Sequence, residues 1–315
     1  MRKNKNFLSM SSISNTCKKH SKKKILLTGG SGFIGKNIQE SFLSDKYIIV
    51  APSSSDLNLL DTQSVDKYFK RKSFDVVLHA ACKPGHRNAK DLKDIFYSNV
   101  RMFENLVRHK DKYNKFVNFG SGAIYDTSKN ISSVKEDKMF DNIGKAEHDF
   151  CKYVVAKRIE SLDNFLDLNI FGLFGKYEEW QIRFISNSIC KALFNLPITI
   201  KQNRVFSYLC IDDLMPILDF FISNPVEYKN YNVVPDKKIS LLEIAKIIKK
   251  LCNAKNKIKV SKRGYGFEYT GDNSRLVKEF KNVRFTDIKD SIQNLYNYYK
   301  QNIKLIDKNL LLTDK

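Results

Sequence analysis

No stretch of this 315-residue chain approaches the eighteen or so consecutive apolar residues that a membrane span requires, which excludes a helical membrane protein. Met1 to Lys24 carries eight Lys or Arg and no acid, yet it lacks the apolar stretch of a signal-peptide core. It reads as a disordered basic tail, residues 1–22, ahead of the folded body. The six cysteines (Cys17, Cys82, Cys151, Cys190, Cys210, Cys252) form no C-x-x-C pair and no spacing with histidine that suits zinc. Without a secretion signal they are expected to stay reduced, which implies the cytoplasm. No internal repeat and no low-complexity linker interrupts the chain.

Acids are also scarce: 34 Asp and Glu stand against 55 Lys and Arg, a net charge of +21. Removing the eight charges of residues 1–24 leaves +13 for the remainder, where lysines are scattered among acids and asparagines. No basic stripe with interleaved aromatics appears, so a nucleic-acid partner is not expected. A positive field of this kind favours an anionic small-molecule substrate. The hydrophobic fraction of 42% with 12% aromatics suits a globular core.

Short apolar runs at Lys24–Leu27, Tyr47–Val50, Val76–His79, Lys115–Phe119 and Leu166–Ile170 alternate with helical patterns, the signature of a parallel sheet wound by helices. After Gly175 the pattern changes. Ile182–Phe194, Asp212–Ile222 and Leu241–Leu251 read as helices, and Pro197–Ile200 as a short strand; Ser240 and Glu243 form a possible capping box. The expected fold is α/β: a Rossmann-type doubly wound parallel sheet over residues 23–175, returning at about 205–235, with a smaller C-terminal substrate-binding lobe, mainly 176–315.

Between the first strand and its helix lies Thr28-Gly29-Gly30-Ser31-Gly32-Phe33-Ile34-Gly35. Gly29, Gly32 and Gly35 at G-x-x-G-x-x-G spacing permit a tight turn, close approach to a pyrophosphate and close helix packing. The helix N-terminus beyond offers free N–H groups to the anion. Gly29, Ser31, Gly32, Phe33, Ile34 and Gly35 are thus candidate cofactor contacts. At the end of the second strand, Ser53-Ser54-Ser55 supplies hydroxyls and no acid before Asp56, which favours NADP(H) over NAD(H). A serine-rich loop without any ligand contact is the alternative.

Tyr153 and Lys157 stand four residues apart, on one face of a helix, and a lysine beside a phenol makes it a usable proton donor near neutrality. Tyr68–Lys72, Tyr125–Lys129 and Tyr296–Lys300 share the spacing. Tyr153 is distinguished by following the fourth strand, which runs into Gly120-Ser121-Gly122-Ala123 and sets Ser121 at the carboxyl end of a central strand.

These motifs, with His79-Ala80-Ala81, Asn99, Asn169-Ile170-Phe171-Gly172 and Ile211-Asp212-Asp213-Leu214, resemble those of the extended short-chain dehydrogenase/reductases, the NAD-dependent epimerase/dehydratase family, over about residues 24–235. Within the family, Asp56-Leu57-Asn58-Leu59-Leu60-Asp61 and the motif order look most like the fucose-synthase type of 4-keto sugar-nucleotide reductase. The resemblance implies that Ser121 and Tyr153 polarise a C4 carbonyl while Lys157 holds the nicotinamide ribose. It further implies cofactor contacts at Asp56, Leu57, Ala80, Ala81 and Asn99, and substrate contacts at Asn169, Arg204, Ala123 and Arg183. The last two stand where those relatives carry an epimerising cysteine and histidine. Neither can exchange a proton in that role, so C3/C5 epimerisation is not expected. Gly122 and Ala123 stand in place of the Asp-Glu pair that 4,6-dehydratases use, which argues against dehydration.

The expected activity is NADP(H)-dependent reduction of the 4-keto group of a GDP-linked deoxy sugar for surface-polysaccharide precursors, by a homodimer. A nucleotide-sugar 4-epimerase with retained NAD and a non-catalytic dinucleotide-binding regulator are the alternatives. His86-Arg87 lies either near the ligand or in a solvated loop.

Overall fold

The computed structural model describes residues 21–85 and 91–312. The first twenty residues of the basic tail, Cys17 among them, and the pair His86-Arg87 lie outside the described residues. Six parallel strands form the main sheet in the order Asn230–Val233, Phe165–Ile170, Tyr113–Ser121, Phe74–His79, Lys24–Thr28, Ile48–Val50. From the first strand the chain runs outward to the edge strand Ile48–Val50, then crosses back to Phe74–His79 on the other side. The order therefore reverses between Lys24–Thr28 and Phe74–His79, and open α/β sheets bind ligands in the crevice at such a point.

Helices cover both faces, so the strands are apolar on both sides, as parallel sheets require. Ile25 and Leu27 face one core with Val76, Leu78 and Leu168, completed by the helix Ile211–Ser223. Leu26 faces the other with Val77 and Phe116, closed by Phe69, Phe103, Leu106 and Ile159 from three helices. A separate core joins the helices Phe184–Leu193, Leu241–Leu251 and Ile288–Gln301 to the strand Ile198–Asn203. The capping box stands as expected: Ser240 Oγ accepts the Glu243 N–H at 3.3 Å, and the Glu243 carboxylate accepts the Ser240 N–H at 2.9 Å.

A small sheet joins the two halves. Its order is Ile239–Ser240, Val205–Phe206, Tyr269–Gly271, Ile131–Val134, and the strand Tyr269–Gly271 thus pairs with the next strand in the chain after Tyr113–Ser121. Asp213 of the Ile211-Asp212-Asp213-Leu214 motif accepts from the Thr286 N–H and hydroxyl at 3.0 and 2.6 Å, which ties its helix to the segment leading into Ile288–Gln301. Among the described residues no helix is long and apolar enough to cross a membrane, and no cluster of His, Cys, Asp or Glu could hold a metal ion.

Candidate active site

The three glycines of the first turn have different reasons to be glycine. Gly29 has φ +71°, and a Cβ there would lie 2.6 Å from the Ala81 nitrogen and 2.7 Å from the Ala80 carbonyl. At Gly35 a Cβ would stand 2.2 Å from the Gly29 oxygen. Gly29 is held by the backbone of the Ala80-Ala81 segment, Gly35 by the turn's own backbone. Gly32 is exposed, in extended geometry (φ −81°, ψ 179°), and a Cβ would meet only the Gly29 oxygen at 3.3 Å. It caps the helix Phe33–Glu40 without any side-chain hydrogen bond, and no acid occupies the first turn. Free N–H groups and open space at one helix end make a cradle that fits a pyrophosphate. Ser31 is exposed beside Gly32, while Phe33 and Ile34 are half-buried.

The floor of the crevice is polar and ordered. Thr28 Oγ1 accepts the Ala81 N–H at 3.3 Å and lies 2.9 Å from His79 Nδ1, to which it can donate. Burial drives the His79 imidazole down to about 3, with the charge of Lys152 adding to the effect, so the ring is neutral. Ala80 and Ala81 thereby become a fixed wall facing Gly29. Asn99 is 7% exposed and clasps the next loop: Nδ2 donates to the Lys83 and Ile95 carbonyls, each at 3.0 Å, and Oδ1 accepts the Lys83 N–H at 2.7 Å. Its amide shapes the loop, and the residue lines one cavity with His79, Ala80 and Ala81.

At the end of the second strand Ser53 Oγ donates to the Asp56 carboxylate at 2.6 Å, and both are exposed. Leu57 points inward and packs in the core, so only its backbone faces this surface. One groove brings Ser55 and Asp56 together with Lys67, Lys70, Arg71 and Lys72. The sequence reading found no arginine near the strand end; the helix Thr62–Phe69 and the turn after it supply four cations there.

Tyr153 and Lys157 lie on the helix Glu147–Glu160, whose acids Glu147 and Asp149 sit in the first turn and whose Lys157 and Arg158 sit in the last, as the helix dipole favours. Both side chains meet one ring. Tyr153 is perpendicular to Phe140 with centroids 5.5 Å apart, and the Lys157 ammonium stands 4.2 Å from the Phe140 centroid. Of the other tyrosines with this spacing, Tyr68 and Tyr296 carry Lys72 and Lys300 over their own rings, and the Tyr125 hydroxyl donates to Asn232 Oδ1 at 2.7 Å in the core. Tyr153 and Ala156 instead join the cluster containing Ile124 and Tyr125, the turn that follows Ser121. Ser121 Oγ accepts the Ala123 N–H at 3.2 Å.

Beneath Ser121 two side chains of the neighbouring strand cross at Gly120, where a Cβ would lie 2.4 Å from Asp167 Oδ1 and 2.8 Å from Asn169 Oδ1. Asn169 is 0% exposed, its Oδ1 has no partner, and Nδ2 reaches Met139 Sδ at 3.3 Å. That depth argues against the substrate contact expected of it. Asp167 is pushed up to about 6 by burial, against Lys152 and an Asn118 hydrogen bond of 2.7 Å.

The other wall comes from the C-terminal half. Arg204 stacks on Phe206 with its guanidinium carbon 5.2 Å from the centroid, and Nε donates to the Phe267 carbonyl at 2.6 Å. Residues 204 and 206 thus share a face, as strand alternation suggests. Arg183, exposed at the N-cap of Phe184–Leu193, acts with Arg204 on the same two phenols, Tyr208 and Tyr269. Ala123 is buried in its turn, 4% exposed. Tyr269 escaped the sequence reading; burial raises its phenol, and the nearby Ser121 hydroxyl acts the other way. No local pattern marks it, since only the pairing of Tyr269–Gly271 with distant strands brings it here.

The arrangement combines an anion cradle, a phenol with a lysine, a serine hydroxyl on a central strand and two arginines opposite. A model of the NAD dependent epimerase/dehydratase family matches residues 25–234. The chain is 24% identical to GDP-L-colitose synthase of Yersinia pseudotuberculosis over 302 residues, covering 88% of this chain and 97% of that protein. Among solved structures it resembles the GDP-mannoheptose C4 reductase of Campylobacter jejuni with NADP bound, at TM-score 0.76 and 21% identity, covering 89% of this chain and 98% of that one. It also resembles a GDP-L-fucose synthetase of Naegleria fowleri bound to NADP, at TM-score 0.78 and 16% identity, covering 90% and 94%.

Proposed function

The chain belongs to the NAD dependent epimerase/dehydratase family, and from that premise we propose that it is an NADP(H)-dependent reductase of the 4-keto group of a GDP-linked deoxy sugar. The observation that carries this reading is the convergence of Tyr153 and Lys157 on Phe140 beside the turn of Ser121, across from Arg183 and Arg204. The three relatives described above, matched over most of their lengths, support the GDP-sugar, and the Campylobacter jejuni C4 reductase supports the C4 chemistry. The NADP held by two of them, and the cations at Ser55 and Asp56, support the choice of dinucleotide.

In this mechanism the backbone N–H groups at Gly32 to Ile34 hold the pyrophosphate, and Lys157 leaves the Phe140 face to bind the nicotinamide ribose. Ser121 and Tyr153 donate hydrogen bonds to the ketone oxygen and so stabilise the negative charge that develops there. Bound NADPH supplies the hydride that arrives at C4. Tyr153 gives its proton to the oxygen, and the lysine beside it stabilises the phenolate left behind. Arg183 and Arg204 attract the diphosphate, to which a guanidinium offers paired donors.

The reaction is read as reduction alone. Ala123 has no proton to exchange, and Arg183 stays protonated and makes a poor base. Residues 23–175 with 205–235 form the dinucleotide half, and the remainder after 176 the substrate lobe. We further read the enzyme as a cytoplasmic homodimer serving surface-polysaccharide precursor synthesis; exposed Tyr97 and Phe150, on adjacent helices, support a protein contact there.

Incubation with a 4-keto-6-deoxy GDP-hexose in deuterated water, first without NADPH, tests the reading. C3 and C5 should stay free of enzyme-dependent deuterium, and added NADPH should then be consumed to give a product changed only at C4. Rapid deuterium uptake at C3 or C5 overturns the reduction-only reading, and no NADPH consumption overturns the reductase.

A further inference from the structure

We propose that Phe140 is a positioning residue for the Tyr153–Lys157 pair: its ring steadies the phenol and holds the lysine ammonium on its face until a dinucleotide takes it. The proposal rests on the roles read for those two residues above. The two contacts differ in kind. Tyr153 stands perpendicular to Phe140 with centroids 5.5 Å apart, an aromatic pair, while the Lys157 ammonium lies 4.2 Å from the ring centroid, a cation on a π face. Among the described residues no carboxylate or carbonyl takes this ammonium, so the ring face is what holds it. Lys157 is exposed, whereas Phe140 and Tyr153 are half-buried. The lysine is thus the member that can swing away, and the two rings stay.

Phe140 itself is anchored from behind. It follows the short turn Glu136–Lys138, whose first residue is buried. One Glu136 oxygen accepts the Asn232 N–H at 2.8 Å and the other lies 3.8 Å from Arg275 Nε, so the turn is tied to the edge strand Asn230–Val233. Met139, the residue before Phe140, is buried among Ile124, Tyr125, Ala156 and Phe171. A tied turn and a buried neighbour make Phe140 a fixed platform beside the helix Glu147–Glu160. A phenol that must hand its proton to one oxygen gains from a fixed neighbour. An exposed cation on an aromatic face gains only about two- to fivefold in an equilibrium, enough to favour that place and little enough to be exchanged for ribose hydroxyls. Phe140 therefore assists proton donation by Tyr153 and competes with the dinucleotide for Lys157.

Phe140→Leu keeps an apolar side chain and removes the π face. In a fluorescence titration NADPH should then bind about two- to fivefold more tightly, since Lys157 no longer leaves a partner. With NADPH and a 4-keto-6-deoxy GDP-hexose, kcat should fall about two- to tenfold, the worth of one aromatic pair, while the thermal midpoint stays near the wild-type value. General damage to the fold would weaken both. In a Lys157→Met background the same change should leave NADPH affinity unaltered, because no ammonium is left to release. Unchanged or weaker NADPH binding by Phe140→Leu, an equal gain in both backgrounds, or an unchanged kcat overturns the proposal. A wild-type protein that binds NADPH without reducing the sugar overturns the reductase reading, and the affinities alone then decide whether Phe140 holds Lys157. A wild-type protein that does not bind NADPH overturns the reading of the site, and the proposal with it.

Discussion

The cradle draws on eight consecutive residues, Thr28 to Gly35, whereas the reaction centre gathers Ser121, Phe140, Tyr153, Arg183, Arg204 and Tyr269 from segments scattered between residues 121 and 269. In the cradle the contacts are backbone to backbone, and side chains matter chiefly by their absence. In the reaction centre every working group is a side chain, and backbone only carries it. A backbone site is encoded by local spacing and fails by steric intrusion. A side-chain site is encoded by pairing between distant strands and fails by loss of a single polar atom.

The largest effect should come from the side-chain half. Tyr153→Phe removes the proton donor and keeps the ring against Phe140, so kcat should fall by about 10²–10⁴ with NADPH affinity almost unchanged. Stopped-flow reduction and a cofactor titration measure the two separately. Retention of more than about a tenth of the rate, well outside that range, would remove Tyr153 as the acid.

Two glycine substitutions probe the backbone half, and they should differ in kind. Gly35→Val drives a Cβ to within 2.2 Å of the Gly29 oxygen, and the fold should lose roughly 3 kcal/mol or more in urea unfolding. Gly32→Val meets only one atom, at 3.3 Å. That protein should fold with near-normal stability and lose dinucleotide binding, because the side chain fills the space of the phosphate. Unchanged NADPH titration of folded Gly32→Val would show that the turn does not hold phosphate.

The smallest effect lies in the floors of the two regions, which respond to pH with opposite signs. His79, under the cradle, falls from 6.5 to about 3 on folding, so it costs stability as pH drops through that range. Asp167, under Ser121, rises from 3.8 to about 6. Its contribution is fully present below pH 3.8 and is lost as pH rises through about 6. Asp167→Asn deletes only that contribution. Between pH 6 and 4 the variant should therefore lose stability relative to wild type by on the order of 1.4 kcal/mol per pH unit. Parallel stability curves for the two proteins over that interval would mean that Asp167 titrates normally in the fold.

The same division explains what was legible beforehand. The apolar strands of the main sheet and the capped helix Leu241–Leu251 were evident because burial on both faces and capping geometry leave local patterns. Asn230–Val233 was not: Asn-Tyr-Asn-Val has little strand character of its own, and it is a strand because it pairs with Phe165–Ile170. Ile131–Val134, which reads Ile-Ser-Ser-Val, escaped notice for the same reason. That Asn99 clasps a loop and Asn169 is buried was not legible either; residue type shows hydrogen-bonding capacity, not the partners it finds in the fold.

By itself the sequence determined the α/β class, the glycine turn, the Tyr153–Lys157 pair on one helix face and the lack of a proton carrier at Ala123. Each depends on spacing within a few residues, where chain geometry alone sets what can meet. Tertiary structure alone decided that Tyr153 meets Phe140 and the turn of Ser121 while Tyr68 and Tyr296 do not, and that Tyr125, a member of that turn, gives its hydroxyl proton to Asn232. It also decided that Tyr269 lies near Ser121 and that Lys67 to Lys72 flank Asp56. Those contacts join residues far apart in the chain, and their positions follow from strand register and core packing, which no local window of sequence contains.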